Sequence, residues 1–149
     1  LNDRSYKNIE LALANLVNSF PQETDRYLGM TADMEGWRGK NIRIKWLELA
    51  IESGKKEFLN ELIGYSSLSY EFETRQNALN ALKRLNYLDQ EVAKNLLSAY
   101  LHWNFKLSGT AKEVILYFIQ QNDHERLLNG YYLSHPWNEN DKNKLKQLF

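Results

Sequence analysis

The sequence predicts an all-α fold, a right-handed α-α superhelix of stacked helical hairpins, and three observations lead there. First, one pattern occurs three times. Its clearest copy is Arg75-Gln-Asn-Ala78-Leu79-Asn-Ala81-Leu82, a turn at Tyr87-Leu88-Asp89, then Val92-Ala-Lys-Asn-Leu96-Leu97. Upstream, Arg43-Ile-Lys-Trp46-Leu47-Glu-Leu49-Ala50 breaks at Ser53-Gly54 and resumes at Phe58-Leu59-Asn-Glu-Leu62-Ile63. Downstream, Lys112-Glu-Val114-Ile115-Leu-Tyr-Phe118-Ile119 breaks at Asn122-Asp123 and resumes at Leu127-Leu128. The spacing, roughly 32 to 37 residues, lies in the range of helical-repeat solenoids, whose units stack because none can bury its apolar face alone. Second, 2 prolines and 7 glycines read as punctuation between periodic segments, and no stretch alternates as a strand would. Third, the last segment has a lysine-rich face and a narrow apolar one, as a terminal element that covers a core should.

The elements follow in order. A first helix runs from about Asp3 to Asn18, with Asp3 as its cap and Ile9, Leu13, Leu16, Val17 and Phe20 at helical spacing. Pro21 suits the first turn of a second helix through Tyr27, Leu28 and Met30. Residues Glu35 to Lys40 read as a loop. A hairpin then spans Asn41 to Ser66, and another Ser69 to Trp103. In the latter, Ser69 or Tyr70 precedes the acids Glu71 and Glu73, which favour a helix N-terminus, and Asp89 is placed to cap the second helix. A third hairpin spans Ser108 to about Leu133, with Ser108 or Thr110 near its cap. After the Ser134-His135-Pro136-Trp137 turn, a final helix covers Asn138 to Phe149, with Leu145, Leu148 and Phe149 apolar. The central hairpin should bury Ala78, Leu79, Leu82, Leu85, Leu96 and Leu97, and Tyr100, Trp103, Tyr117 and Phe118 sit where aromatics pack into a core.

Composition bounds what such a fold can do. At 149 residues the chain is the size of a single domain, read here as residues 1–149 and expected to be a fragment of a larger protein. The 19 basic and 19 acidic residues cancel, which removes the footprint of a general nucleic-acid or anionic-membrane binder. With no cysteine, the chain has no disulfide framework, thiolate nucleophile or zinc-thiolate site, and cytoplasm and periplasm both stay open. No apolar run approaches the roughly 18 residues of a membrane span.

Two motifs resemble chemistry and stop short of it. His124-Glu125-Arg126-Leu127-Leu128 begins like the His-Glu-x-x-His zinc signature, which needs two imidazoles one helical turn apart; position 128 is Leu. A capped helix start, with Asp123 as cap, explains the same residues. Gly36-Trp37-Arg38-Gly39-Lys40 has the look of a phosphate loop, but Met34 stands where the first glycine belongs and Asn41 where a Ser or Thr should follow the lysine. The sequence therefore supplies no catalytic residue, no cofactor-binding residue and no metal ligand. The candidate binding residues are Trp37, Arg38, Lys40 and Arg43. They belong to the densest basic stretch, which is interleaved with Trp37 and Trp46, and arginine beside an aromatic platform suits a peptide carboxylate or single-stranded nucleic acid. On this reading Arg43→Ala weakens binding and leaves stability nearly unchanged.

The run Tyr70-Glu-Phe72-Glu-Thr-Arg75-Gln-Asn-Ala78-Leu79-Asn-Ala81-Leu82-Lys-Arg-Leu85 resembles helices of HEAT and armadillo-type repeats, though the proline common in the first HEAT helix is absent. With Asn86-Tyr-Leu88-Asp89, Leu107-Ser-Gly109-Thr-Ala111 and Trp137-Asn-Glu-Asn-Asp141-Lys, the stretch from Ile42 to Phe149 further resembles the helical C-terminal region of bacterial M1-family zinc metallopeptidases, the aminopeptidase N type. That resemblance implies a non-catalytic domain that shapes or covers a substrate chamber, with the zinc held in the catalytic domain of the parent chain and that domain, or a protein or peptide, as partner. Two alternatives stand beside it. One is a free-standing HEAT-like adaptor that grips a protein, and the other is a small HEAT-like nucleic-acid enzyme, which the neutral charge disfavours.

Overall fold

The computed structural model describes residues 1, 5–34 and 39–149. Among them are nine α-helices and two 3-10 turns, and no strand. The chain is all-α, as the periodicity requires. It divides into two compact units, residues Leu1–Leu62 and Ile63–Phe149.

In the first unit, α1 (Tyr6–Ser19) packs on α2 (Thr24–Thr31) and on α3 (Lys40–Glu52). Ile9, Leu13, Leu28, Ile42, Leu47 and Ala50 are buried between them. The apolar stripe of α1 is narrower than its spacing predicts, because Phe20 leaves the helix as its C-cap and stands 48% exposed, while Leu16 and Val17 are half-buried. A proline-initiated 3-10 turn, Pro21–Glu23, precedes α2. Trp46 fixes α3 against α2, donating its indole Nε1–H to the Leu28 carbonyl at 2.7 Å. Gly54 ends the helix region at φ 100°, a conformation that costs glycine little. The Gly54 amide bonds Ile51 O and the Lys55 amide bonds Ala50 O, the two reversed hydrogen bonds of a Schellman motif. The turn continues through a 3-10 segment, Lys56–Phe58, into α4 (Leu59–Tyr65), in which the division between the units falls.

The second unit contains α5 (Phe72–Arg84), α6 (Gln90–Tyr100), α7 (Phe105–Phe118), α8 (Asn122–Ser134) and α9 (Glu139–Leu145). Helix α5 lies against α7, and α6 lies against both α7 and α8. Alternate helices thus pair as one hairpin laid on the next, which the apolar faces dictate. Ala78, Leu79, Leu82, Leu96 and Leu97 are fully buried as predicted; Leu85, at the C-cap of α5, is half-buried. The α5–α6 turn repeats the Schellman pattern with a different residue. Asn86 takes φ 49°, its amide bonding Lys83 O and the Tyr87 amide bonding Leu82 O. Asn86 also accepts from Tyr117 Oη at 3.3 Å and from Gln121 Nε2 at 2.9 Å, so the turn of one hairpin is tied to the next. Asp89 caps α6 as expected, accepting from the Val92 amide at 2.8 Å.

Several boundaries differ from the sequence reading. Helix α7 starts at Phe105, not Ser108, because Asn104 caps it by accepting from the amides of Lys106 and Leu107. Ser108 instead bonds back to Phe105 O, and Thr110 accepts from Gln76 of α5. Helix α6 accordingly stops at Tyr100, and Trp103 projects from the connection 84% exposed instead of entering the core. The N-cap of α5 is Glu71, and Asp123 lies within the first turn of α8. The last helix is shorter than expected; Asn138 caps it, Leu145 and Leu148 are buried, and Phe149 is 43% exposed. Gly29, Gly64, Gly109 and Gly130 lie inside helices, so glycine marks fewer breaks than the sequence suggests.

Candidate functional site

Of the four candidate binding residues, Trp37 and Arg38 lie outside the described residues. Lys40 opens α3 and is half-buried. Arg43, one turn further, is nearly buried. Its Nε and Nη2 donate to the two carboxylate oxygens of Glu61, both at 2.7 Å, and Nη1 donates to Ala32 O at 3.4 Å. The guanidinium lies 4.4 Å from the centre of the Trp46 ring. The structure therefore contains the arginine on an aromatic platform that the sequence suggests, holding a carboxylate in bidentate fashion. That carboxylate belongs to this chain. Helix α4 brings Glu61 opposite α3 after the Gly54 turn, eighteen positions from Arg43, a separation at which no local pattern reveals the pair. Lys45 is likewise engaged, by Glu48 at 2.8 Å.

A second cluster is one that sequence reasoning missed. Arg75, 2% exposed, lies in α5 on the stripe it shares with Ala78, Leu79 and Leu82. A cation at i in an i, i+3, i+4, i+7 apolar pattern is the signal that could have revealed it. Its Nε donates to Ser66 O at 3.1 Å, and its Nη2 donates to Ser98 Oγ at 3.0 Å and to Asn95 O at 3.4 Å. Asn95 Nδ2 in turn donates to Ser66 Oγ at 2.9 Å. Every one of these acceptors is neutral. Among the described residues no carboxylate forms an ion pair with Arg75. Burial pushes the Arg75 guanidinium below its usual range, since its charge gives up water for neutral carbonyl and hydroxyl acceptors. His102, just beyond α6, is held below the usual imidazole value by burial and then by the Arg75 charge. Its Nδ1 accepts the Asn104 amide at 3.0 Å, which places the proton of the neutral ring on Nε2.

The other histidines stand apart. His124 is set edge-on to Phe118 with its Nδ1 buried and unpartnered, and His135 packs between Tyr131 and Trp137. Asp89, Gln90, Glu91, Lys94 and Tyr131 line an open hollow. Its carboxylates are engaged, Asp89 by the Val92 amide and Tyr87 Oη and Glu91 by Lys94, so the hollow presents no spare acid and base pair.

The described geometry defines an all-α protein whose notable side chains hold hairpins together. No family model, curated protein or solved structure matches the chain.

Proposed function

We propose that the chain is a non-catalytic binding module of stacked helical hairpins that packs against the rest of a larger polypeptide, through the end of the second unit where α5 and α7 begin. One observation carries this reading. Leu68, Phe72, Trp103 and Phe105 are 69%, 38%, 84% and 77% exposed, and all four lie at or just before the N-termini of those two helices. Short connections make α5 and α6, and then α6 and α7, antiparallel, so α5 and α7 run in the same direction side by side and begin at one end. Four large apolar side chains this exposed at one end are a concentration of apolar surface of the kind that marks an interaction site.

Right-handed superhelical winding is the broader architecture that this stacking supports. The narrower functional reading is the helical C-terminal domain of an M1-like zinc aminopeptidase, which draws on the resemblance of Ile42 to Phe149 and places zinc in another domain. Neutral charge favours a protein surface over nucleic acid as partner. The test is the double variant Trp103→Glu, Phe105→Glu. In the isolated chain it should leave the helical circular dichroism intact; in the full-length gene product it should destabilise the assembled protein and lower zinc-dependent hydrolysis of aminoacyl substrates. Unchanged stability and activity of the full-length variant would refute the binding face. Absence of such hydrolysis in the full-length wild type would refute the aminopeptidase reading alone.

A further inference from the structure

A small cavity lies where α8 passes into α9, and it shares no residue with the face proposed above. Tyr132, Leu133, His135, Pro136, Trp137 and Lys142 line it, and its volume is about 190 Å³. Local sequence builds its walls. The residue before a proline is pushed out of the helical region, and His135 ends α8 with extended backbone, φ -87° and ψ 136°. The chain then folds back on the helix: the Trp137 amide donates to His135 O at 2.9 Å, and the Trp137 indole Nε1–H donates to Tyr132 O, also at 2.9 Å. His135 stands 4.2 Å from the Trp137 ring and stacks on Tyr131 at 5.5 Å, while Tyr132 stacks on Phe149 at 5.3 Å. Each aromatic wall is thus held by a second group, as in a preformed ligand site. Asn138 caps α9, and one turn further Lys142 completes the lining.

We propose that this cavity binds a one-ring aromatic carboxylate, a free small molecule of the benzoate class, with its ring against Trp137 and Tyr132 and its carboxylate on the Lys142 ammonium. Size narrows the choice first. A void of about 150 Å³ takes benzene, whereas sites for drug-sized molecules begin near about 300 Å³, so this one admits a single ring with a small substituent. Aromatic walls prefer an aromatic ring, whose face and edge complement theirs, over a saturated one. Charge comes from Lys142, the one lining residue with a fixed charge. Among the described residues no acid pairs with it, and Asp141, its neighbour in sequence, accepts from Asn138 Nδ2 at 2.7 Å. An ammonium without a counter-ion beside an apolar cavity selects an anion, and a carboxylate on a ring keeps the ligand flat. Lys142 is exposed, so its charge contributes as a surface ion pair does, about fivefold in affinity.

A nitrogen-15 NMR titration of the 149-residue chain, following the Trp137 indole Nε1–H, tests the proposal. Benzoate is compared with benzamide, which lacks the charge, with cyclohexanecarboxylate, which lacks the aromatic ring, and with N-acetylphenylalanine, which carries ring and carboxylate as a protein chain end does. Benzoate should saturate the Trp137 shift with a Kd of about 1 mM or below, about fivefold tighter than benzamide and about threefold tighter than cyclohexanecarboxylate. Lys142→Met keeps the apolar stem and removes the charge. It should bring benzoate down to the affinity of benzamide, while benzamide binding and the helical circular dichroism stay unchanged. No saturation by benzoate at about twentyfold the expected Kd overturns the site. Equal binding of benzamide, or a benzoate preference that survives Lys142→Met, overturns the role of the charge. Equal binding of cyclohexanecarboxylate overturns the aromatic assignment, and N-acetylphenylalanine that binds more tightly than benzoate overturns the free small molecule as occupant.

Discussion

Replacing Arg43 by alanine decides between recognition and architecture in the first unit. The Arg43 side chain is 10% exposed and that of Glu61 is 38% exposed, so their bidentate pair lies between the buried and surface limits. Breaking a fully buried pair costs about 3–5 kcal/mol, whereas an exposed pair contributes about 0.2–1 kcal/mol. Glu61 can recover water when its partner leaves, which places the loss of the pair at about 1–2.5 kcal/mol. The cation over Trp46 adds about 0.5–1 kcal/mol. Arg43→Ala should therefore lower stability by about 1.5–3.5 kcal/mol, contrary to the sequence expectation of a nearly unchanged midpoint. Urea denaturation followed by far-ultraviolet circular dichroism measures it, and a double-mutant cycle with Glu61→Gln isolates the pair, with an expected coupling of about 1–2 kcal/mol. A loss below about 0.5 kcal/mol together with no coupling would refute the architectural role and return Arg43 to recognition.

The other predictions concern the second unit. Leu82→Ala should cost about 2–5 kcal/mol because the side chain is fully buried, whereas Lys83→Ala should cost less than about 1 kcal/mol, the limit of its cation contact with Tyr117; equal losses in chemical denaturation would place the register in error. Asn86→Gly should keep the turn but lose the bonds to Tyr117 and Gln121, and Asn86→Val should be worse still, since a β-branched residue resists positive φ; thermal unfolding that ranks valine above glycine would contradict the left-handed turn. His102 should make stability depend on pH. Its folded pKa lies below the unfolded value of about 6.5, so the unfolded chain binds the proton first and stability falls as pH drops through that value towards the folded one. His102→Gln should flatten this slope between about pH 7.5 and 5.5 in denaturation curves, and an unchanged slope would count against it.

How much of this was legible in the sequence depended on whether the cause was local. The hairpin breaks at Ser53-Gly54 and Asn86 to Asp89 were readable because a left-handed residue and a side-chain cap must be written at the turn itself. Asn104 carries equal local information. Helical spacing alone does not say where a helix stops, so Trp103 reads as core in the sequence although Asn104 marks the start of α7. The Arg43 and Glu61 pair was illegible for a different reason: its second member arrives from across a turn, and only tertiary packing selects which acid faces the arginine. Arg75 stands on an apolar stripe within the repeat pattern, which assigns it no role; its burial becomes apparent once Ser66, Asn95 and Ser98 converge on it.

The central claim is that the end bearing Trp103 and Phe105 is a binding face in the intact protein. Hydrogen–deuterium exchange of residues 66–72 and 101–107, compared between the 149-residue chain alone and the larger polypeptide in which it is proposed to sit, tests it most directly. The account predicts that exchange in both segments slows by at least about tenfold in the larger polypeptide, while the buried middle of α5 exchanges slowly in both. Identical exchange of the two segments in the two proteins would contradict it.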